Sequence, residues 1–174
     1  MRNRIMVVLV MAAVAVTLLA TGALAGGKSG QNNQGQSKAK GPAVTQKRAL
    51  FAVLTGRKEI DPVTGKRNAG DPDGRGSFTA IIDGTQLCFG LTVKNLDTPV
   101  AAHIHKARAN QNGPIVVPLT APTTGDPGAS SGCVTIAADL AAAILKNPHK
   151  YYANVHTATF PGGAARGQLF GKSR

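Results

Sequence analysis

From residue 49 onward, apolar positions recur in short runs separated by Gly, Pro, Asn and Asp. Leu87, Phe89, Leu91 and Val93 fall on alternate positions, the period of a strand with one face in a core. Comparable runs occupy 49–55, 76–83, 86–96, 100–106, 115–119, 133–136, 151–158 and 165–170. Asp83-Gly84 stands between the second and third runs, so that pair predicts a hairpin. Residues 138–146 are rich in Ala and Leu and predict a helix, which Asn147-Pro148 ends. The pattern is that of an all-β protein: an antiparallel Greek-key β-sandwich or barrel of about eight strands with one short helix.

Composition narrows this further. The chain has 174 residues, 21 Gly, 10 Pro, 2 Cys and no Trp. Glu59 is the only Glu, and Leu is scarce, which argues against a helical bundle. Gly has no three-residue period, which excludes collagen. Two Cys close at most one bridge, which excludes a disulfide-dense miniprotein.

Residues 1–25 differ from the rest. Arg2 and Arg4 precede an apolar stretch from Ile5 to Ala20, and Ala23 and Ala25 occupy the small-residue positions of a cleavage site. This is the layout of a secretory signal peptide. The alternative is an uncleaved membrane anchor, for which the stretch is long enough. With cleavage after Ala25, no membrane span is expected, and the protein is secreted or held at the cell envelope. Residues 26–48 carry five basic residues, no acid and only three aliphatic side chains, Ala39, Ala43 and Val44. Such a segment buries too little to offset its ordering entropy and is expected to be a disordered basic linker. The domain is then 49–174.

The formal charge is +12, and much of the excess lies before residue 49. A basic tail suits adhesion to anionic envelope polymers. No specific nucleic-acid partner is expected, because the five Phe and two Tyr are not interleaved with a basic stripe. Cys88 and Cys133 are 45 positions apart in the sequence, and in an exported chain such a pair reads as a disulfide. Two buried free thiols are the alternative.

The sharpest local chemistry is His103-Ile104-His105. In a strand, positions i and i+2 share a face, with Cα atoms roughly 7 Å apart. Both imidazoles therefore point away from the core that takes Ala102 and Ile104, a spacing that lets two rings chelate one metal. His156, on the same face as Tyr152 and Asn154, is a third donor. Together they would form an N3 site for copper or zinc on the outer surface. The competing reading is structural: imidazoles hydrogen-bonded to loop backbone. No cofactor is required by that reading. Arg166, after the Phe160-Pro161-Gly162-Gly163 loop, would place a cation near the histidines to attract an anion, or would pair with a carboxylate. His149, after Pro148, reads as an exposed residue.

Half of the acids, Glu59, Asp61, Asp71 and Asp73, fall in one stretch that matches no EF-hand spacing, and Asp-Pro-Asp-Gly is explained as a turn. Gly128-Ala129-Ser130-Ser131-Gly132 has the spacing of a nucleophile elbow but lacks the strand before it and the helix after it. Gly171-Lys172-Ser173 ends like a phosphate loop but has no room for the helix that must follow. No catalytic residue is assigned.

The domain as a whole resembles the CHRD family, named after chordin and found in bacterial secreted proteins. The resemblance rests on Phe51-Ala52-Val53-Leu54-Thr55-Gly56 with Glu59, Ala101-Ala102-His103-Ile104-His105, Asn112-Gly113-Pro114-Ile115-Val116-Val117 and Asn147-Pro148. It continues through Tyr151-Tyr152-Ala153-Asn154-Val155-His156-Thr157 and Phe160-Pro161-Gly162-Gly163-Ala164-Ala165-Arg166-Gly167-Gln168-Leu169. Lys106-Ala107-Arg108-Ala109 departs from the glycines usual there, in the loop after the His pair. The resemblance implies an extracellular β-sandwich without a general enzymatic role. Its partner would be an extracellular protein or an envelope polymer, and the growth-factor partners of chordin do not transfer to a short chain with one copy. A looser resemblance is to copper/zinc superoxide dismutases, whose order of a His-x-His strand, a later Val-His and a Gly-rich loop leading to Arg is similar to His103, His105, His156 and Arg166. It implies a copper-type site. The chain lacks a fourth, bridging His and a His/Asp zinc cluster. The expectation is a non-catalytic binding or structural module, with a three-His metalloprotein of possible dismutase type as the alternative.

Overall fold

The computed structural model describes residues 47–171. The signal peptide at 1–25 and nearly all of the linker at 26–48 lie outside the described residues, as do Lys172 and Ser173. Eight strands are present: β1 Arg48–Thr55, β2 Arg75–Asp83, β3 Gln86–Lys94, β4 Pro99–Lys106, β5 Ile115–Leu119, β6 Gly128–Thr135, β7 Tyr151–Thr157 and β8 Ala165–Gln168. Among the described residues one α-helix, α1, spans Ala138–Lys146. Among the described residues, no helix is long and apolar enough to cross a membrane.

All neighbouring strands run antiparallel in the order β5-β4-β7-β8-β1-β2-β3-β6. The β3–β6, β4–β7 and β1–β8 neighbours are not consecutive in the chain, so the sheet is Greek-key in character and not a meander. The sheet is nearly closed: the Ser130 hydroxyl on β6 donates to the carbonyl of Thr120, just beyond β5, at 2.7 Å.

Alternation places the core. Leu50, Leu54, Phe78, Ile82, Leu87 and Ile104 are fully buried inside the barrel. Helix α1 adds Ala141 and Ile144 to the same cluster. Asp139 in its first turn and Lys146 in its last both suit the helix dipole. β6 begins five residues earlier than the sequence pattern indicates. Its extra residues, Gly128–Gly132, are small and polar and carry no hydrophobic alternation. They are strand because their backbone pairs with β3, and Phe89 lies opposite Gly132 with its ring against the space a side chain would take. The nucleophile-elbow spacing thus sits inside a strand. Cys88 and Cys133 are directly opposed on β3 and β6 and are bonded, which ties the edge strand β6 into the sheet.

Candidate metal centre

β4 and β7 are neighbours, with His103 opposite Asn154, His105 opposite Tyr152 and Ala101 opposite His156. Ala102 and Ile104 turn into the core. His103, His105, Tyr152, Asn154 and His156 therefore share the other face. Their ring centroids lie 5.6 Å apart for His103–His105, 5.1 Å for His103–His156 and 6.1 Å for His105–His156. One ring nitrogen from each histidine lies within 4.8 Å of the other two.

This face is not the open outer surface that strand periodicity indicates. His105 is 8 % exposed, and Tyr152 and Asn154 are each 2 % exposed. The loops around Glu59, Asn112-Gly113 and Phe160-Pro161 fold over it and make a second, polar layer. Gly113 is needed for this cover: a Cβ there would stand 2.1 Å from the Lys106 carbonyl oxygen, so only glycine lets the loop turn back against the end of β4. The loop is held there by Lys106 N–H donating to Pro114 O at 3.0 Å.

The cover sets the tautomers. His105 Nδ1 is 2.9 Å from the Gly113 carbonyl, and His156 Nδ1 is 2.9 Å from the Pro161 carbonyl. A carbonyl only accepts, so each Nδ1 carries the proton and each Nε2 keeps a lone pair. Those two Nε2 atoms and His103 Nδ1 are buried and have no hydrogen-bond partner among the described residues. Burial, then the neighbouring His156 and His105, pushes the His103 pKa down to about 4. Burial likewise lowers that of His105, against the raising effect of the Gly113 hydrogen bond. These two imidazoles are thus held neutral at pH 7, the form that ligates metal.

Beneath the histidines the layer continues. Tyr152 stacks on His105 with centroids 4.8 Å apart, and Arg166 Cζ lies 3.6 Å from the centroid of the Tyr152 ring. Arg166 is thus next to the cluster, as its sequence position indicates, but it is 2 % exposed. Its guanidinium donates to Asn112 Oδ1 at 3.0 Å and to the Gln111 carbonyl at 2.9 Å.

Glu59 was grouped with Asp61, Asp71 and Asp73 by sequence, but the structure separates them. Asp61 Oδ1 accepts from the N–H groups of Val63 and Thr64, and Asp71 Oδ1 accepts from those of Asp73 and Gly74, as turn residues do. Glu59 is 1 % exposed and accepts from Asn154 Nδ2 at 2.6 Å. Burial pushes its pKa up to about 8, against the attraction of Arg166. The usable signal was its being the chain's sole Glu. His149 is exposed, and its carbonyl accepts from Gln168 Nε2.

A family model for the CHRD domain matches residues 50–169, which takes in β1 from Leu50 onward, all of β2 to β8 and the histidine cluster. The chain belongs to the CHRD family. No curated protein matches it. No solved structure matches it either. The matched span of this CHRD domain includes all the loops that cover the histidines.

Proposed function

We propose that this CHRD domain is an extracytoplasmic metal-binding module that holds one copper or zinc ion on His103, His105 and His156. Two observations carry the proposal: each of His103, His105 and His156 has a buried ring nitrogen with no hydrogen-bond partner among the described residues, and one ring nitrogen from each lies within 4.8 Å of the other two. A buried polar atom without a partner costs about 1–3 kcal/mol, and a metal would remove three such costs together. Two of the imidazoles donate their other N–H to a backbone carbonyl, the orientation that ligating histidines use. With metal–nitrogen bonds near 2 Å, tetrahedral donors stand roughly 3.3 Å apart, so modest side-chain rotations close the site. Three imidazole nitrogens with an open fourth position suit copper or zinc.

Export is part of the proposal and rests on Arg2, Arg4, the apolar stretch from Ile5 to Ala20, and Ala23 and Ala25. The module would act on an extracellular protein or an envelope polymer.

The test is elemental analysis of chain purified without a histidine tag, followed by thermal unfolding with copper or zinc. The expected result is about one equivalent of metal. At a hundredfold excess over Kd the stabilisation should be about 2.7 kcal/mol. His103→Ala removes a ligand whose ring makes no hydrogen bond among the described residues, and it should abolish the increase. Wild type that retains no metal and melts at the same temperature with either ion refutes the reading.

A further inference from the structure

We infer that the cleft beside β1 and β8 binds an anionic glycan. The cleft has a volume of about 570 Å³, within the roughly 300–1,000 Å³ of small-ligand sites. Lys58, Arg67 and His149 stand at its rim, Val53 and Phe170 form apolar walls, and Arg166 lies at its floor. No Asp or Glu lines it. A smaller cavity of about 260 Å³, lined in part by Glu59 and Asp61, has the opposite character.

The cations are positioned. Lys58 Nζ donates to the Val53 carbonyl at 2.9 Å, which sets the ammonium on the cleft wall with two N–H groups left for a ligand. Arg67 is fixed at its backbone by a bridge to Ile60, while its guanidinium makes no hydrogen bond among the described residues. A free guanidinium fork takes a carboxylate or phosphate through paired hydrogen bonds.

The walls narrow the ligand class. Phe170 is 54 % exposed, Val53 is 59 % exposed, and the Phe170 ring lies 5.8 Å from that of Phe51. An apolar wall of Val53 and Phe170 beside the exposed cations Lys58 and Arg67 suits a ligand with one C–H face and acidic groups. A sugar ring bearing carboxylate or phosphodiester groups has that form. A lipid tail would meet the Lys58 and Arg67 charges at the rim, and a nucleic-acid strand would need a series of stacking aromatics. The inference does not depend on a metal at the histidines.

The test is calorimetric titration of the full chain at low salt with trigalacturonate, maltotriose and inorganic phosphate. Trigalacturonate should bind and maltotriose should not. Lys58→Glu with Arg67→Glu should weaken binding at least tenfold, while Lys94→Glu, on β3 outside the cleft, should change it less than twofold. Arg67→Glu alone, an exposed single change, should weaken binding at least threefold and serves if the double variant melts early. Phe170→Ala should also weaken it about threefold. A glycerol phosphate oligomer in place of trigalacturonate separates phosphodiester from uronate as the source of charge. Absence of binding by both trigalacturonate and the glycerol phosphate oligomer, affinity indifferent to the charge reversals, or inorganic phosphate binding as tightly as the oligomer that binds would each overturn the assignment.

Discussion

Glu59→Gln should stabilise the domain at neutral pH, although it removes an acid that feels the attraction of the buried Arg166. The folded-state pKa of Glu59 is about 8, against an ordinary value of 4.5. Below pH 4.5 the carboxyl is protonated in both folded and unfolded chains. Between 4.5 and 8 the unfolded chain gives up its proton while the folded chain keeps it, so stability falls as pH rises. Each pH unit in that window costs about 1.4 kcal/mol, which makes roughly 3 kcal/mol at pH 7. Gln has the shape of the protonated acid and keeps an oxygen to accept from Asn154 Nδ2. The variant should therefore gain about 2–3 kcal/mol at pH 7 and almost nothing at pH 4.5. Urea unfolding of both proteins from pH 4.5 to 8 measures this. His103 titrates the other way: its lowered folded pKa makes stability fall as pH drops from 6.5 toward 4. The difference between variant and wild type cancels that contribution. If Glu59 were ionised and balanced by Arg166, the substitution would strand a buried cation and cost about 3–5 kcal/mol. A lower urea midpoint for Glu59→Gln at pH 7 thus refutes the burial argument.

Three further outcomes rest on packing and chain connectivity. Reducing the Cys88–Cys133 bridge, which spans 45 residues, should cost about 3–4 kcal/mol by urea unfolding with and without reductant. Gly163→Ala should lower stability by about 2 kcal/mol or more, because Gly163 has φ 136° and its Cβ would stand 2.6 Å from the Glu59 carboxyl. Gly65→Ala, at φ 68° with nothing within 4 Å, should cost only about 1 kcal/mol in the same assay.

The barrel was legible where side chains alternate. Leu87, Phe89, Leu91 and Val93 are all buried as read, and α1 ends at Asn147-Pro148 as read. The start of β6 was not, because Gly128–Gly132 are strand through backbone pairing and carry no pattern of their own. The histidine cluster was legible because a strand's period of two puts His103 with His105 and Tyr152 with His156 on single faces. What covers that face was not. The covering segments contain Gly, Pro, Asn and Asp, which read as turns, and nothing in that composition shows that Gly113 and Pro161 aim carbonyls at two imidazoles. Glu59 was hidden for the same reason: it lies in an Asp-rich stretch, and only the fold separates it from the turn acids.

The polar layer is an expensive arrangement for a domain that only needs to be a barrel. Apolar residues in place of Glu59, Asn154 and Arg166 would avoid the desolvation of a carboxyl, an amide and a guanidinium. The geometry shows what the layer holds in place. Arg166 grips the 107–114 loop at Gln111 and Asn112, and Asn112 Nδ2 donates in turn to the Ile60 carbonyl at 2.9 Å. The Gly113 N–H points to the Tyr152 hydroxyl at 3.4 Å, and the Gly113 carbonyl meets His105 Nδ1. Arg166 thus acts on His105 twice, through the loop that fixes its tautomer and through the Tyr152 ring stacked between them. Glu59 and Asn154 anchor the other side, close to Gly163 and to the loop whose Pro161 carbonyl fixes His156. The barrel supplies two adjacent strands with histidines on one face. The buried polar layer holds the carbonyls that orient the His105 and His156 rings, and a layer of apolar side chains has no means of doing so.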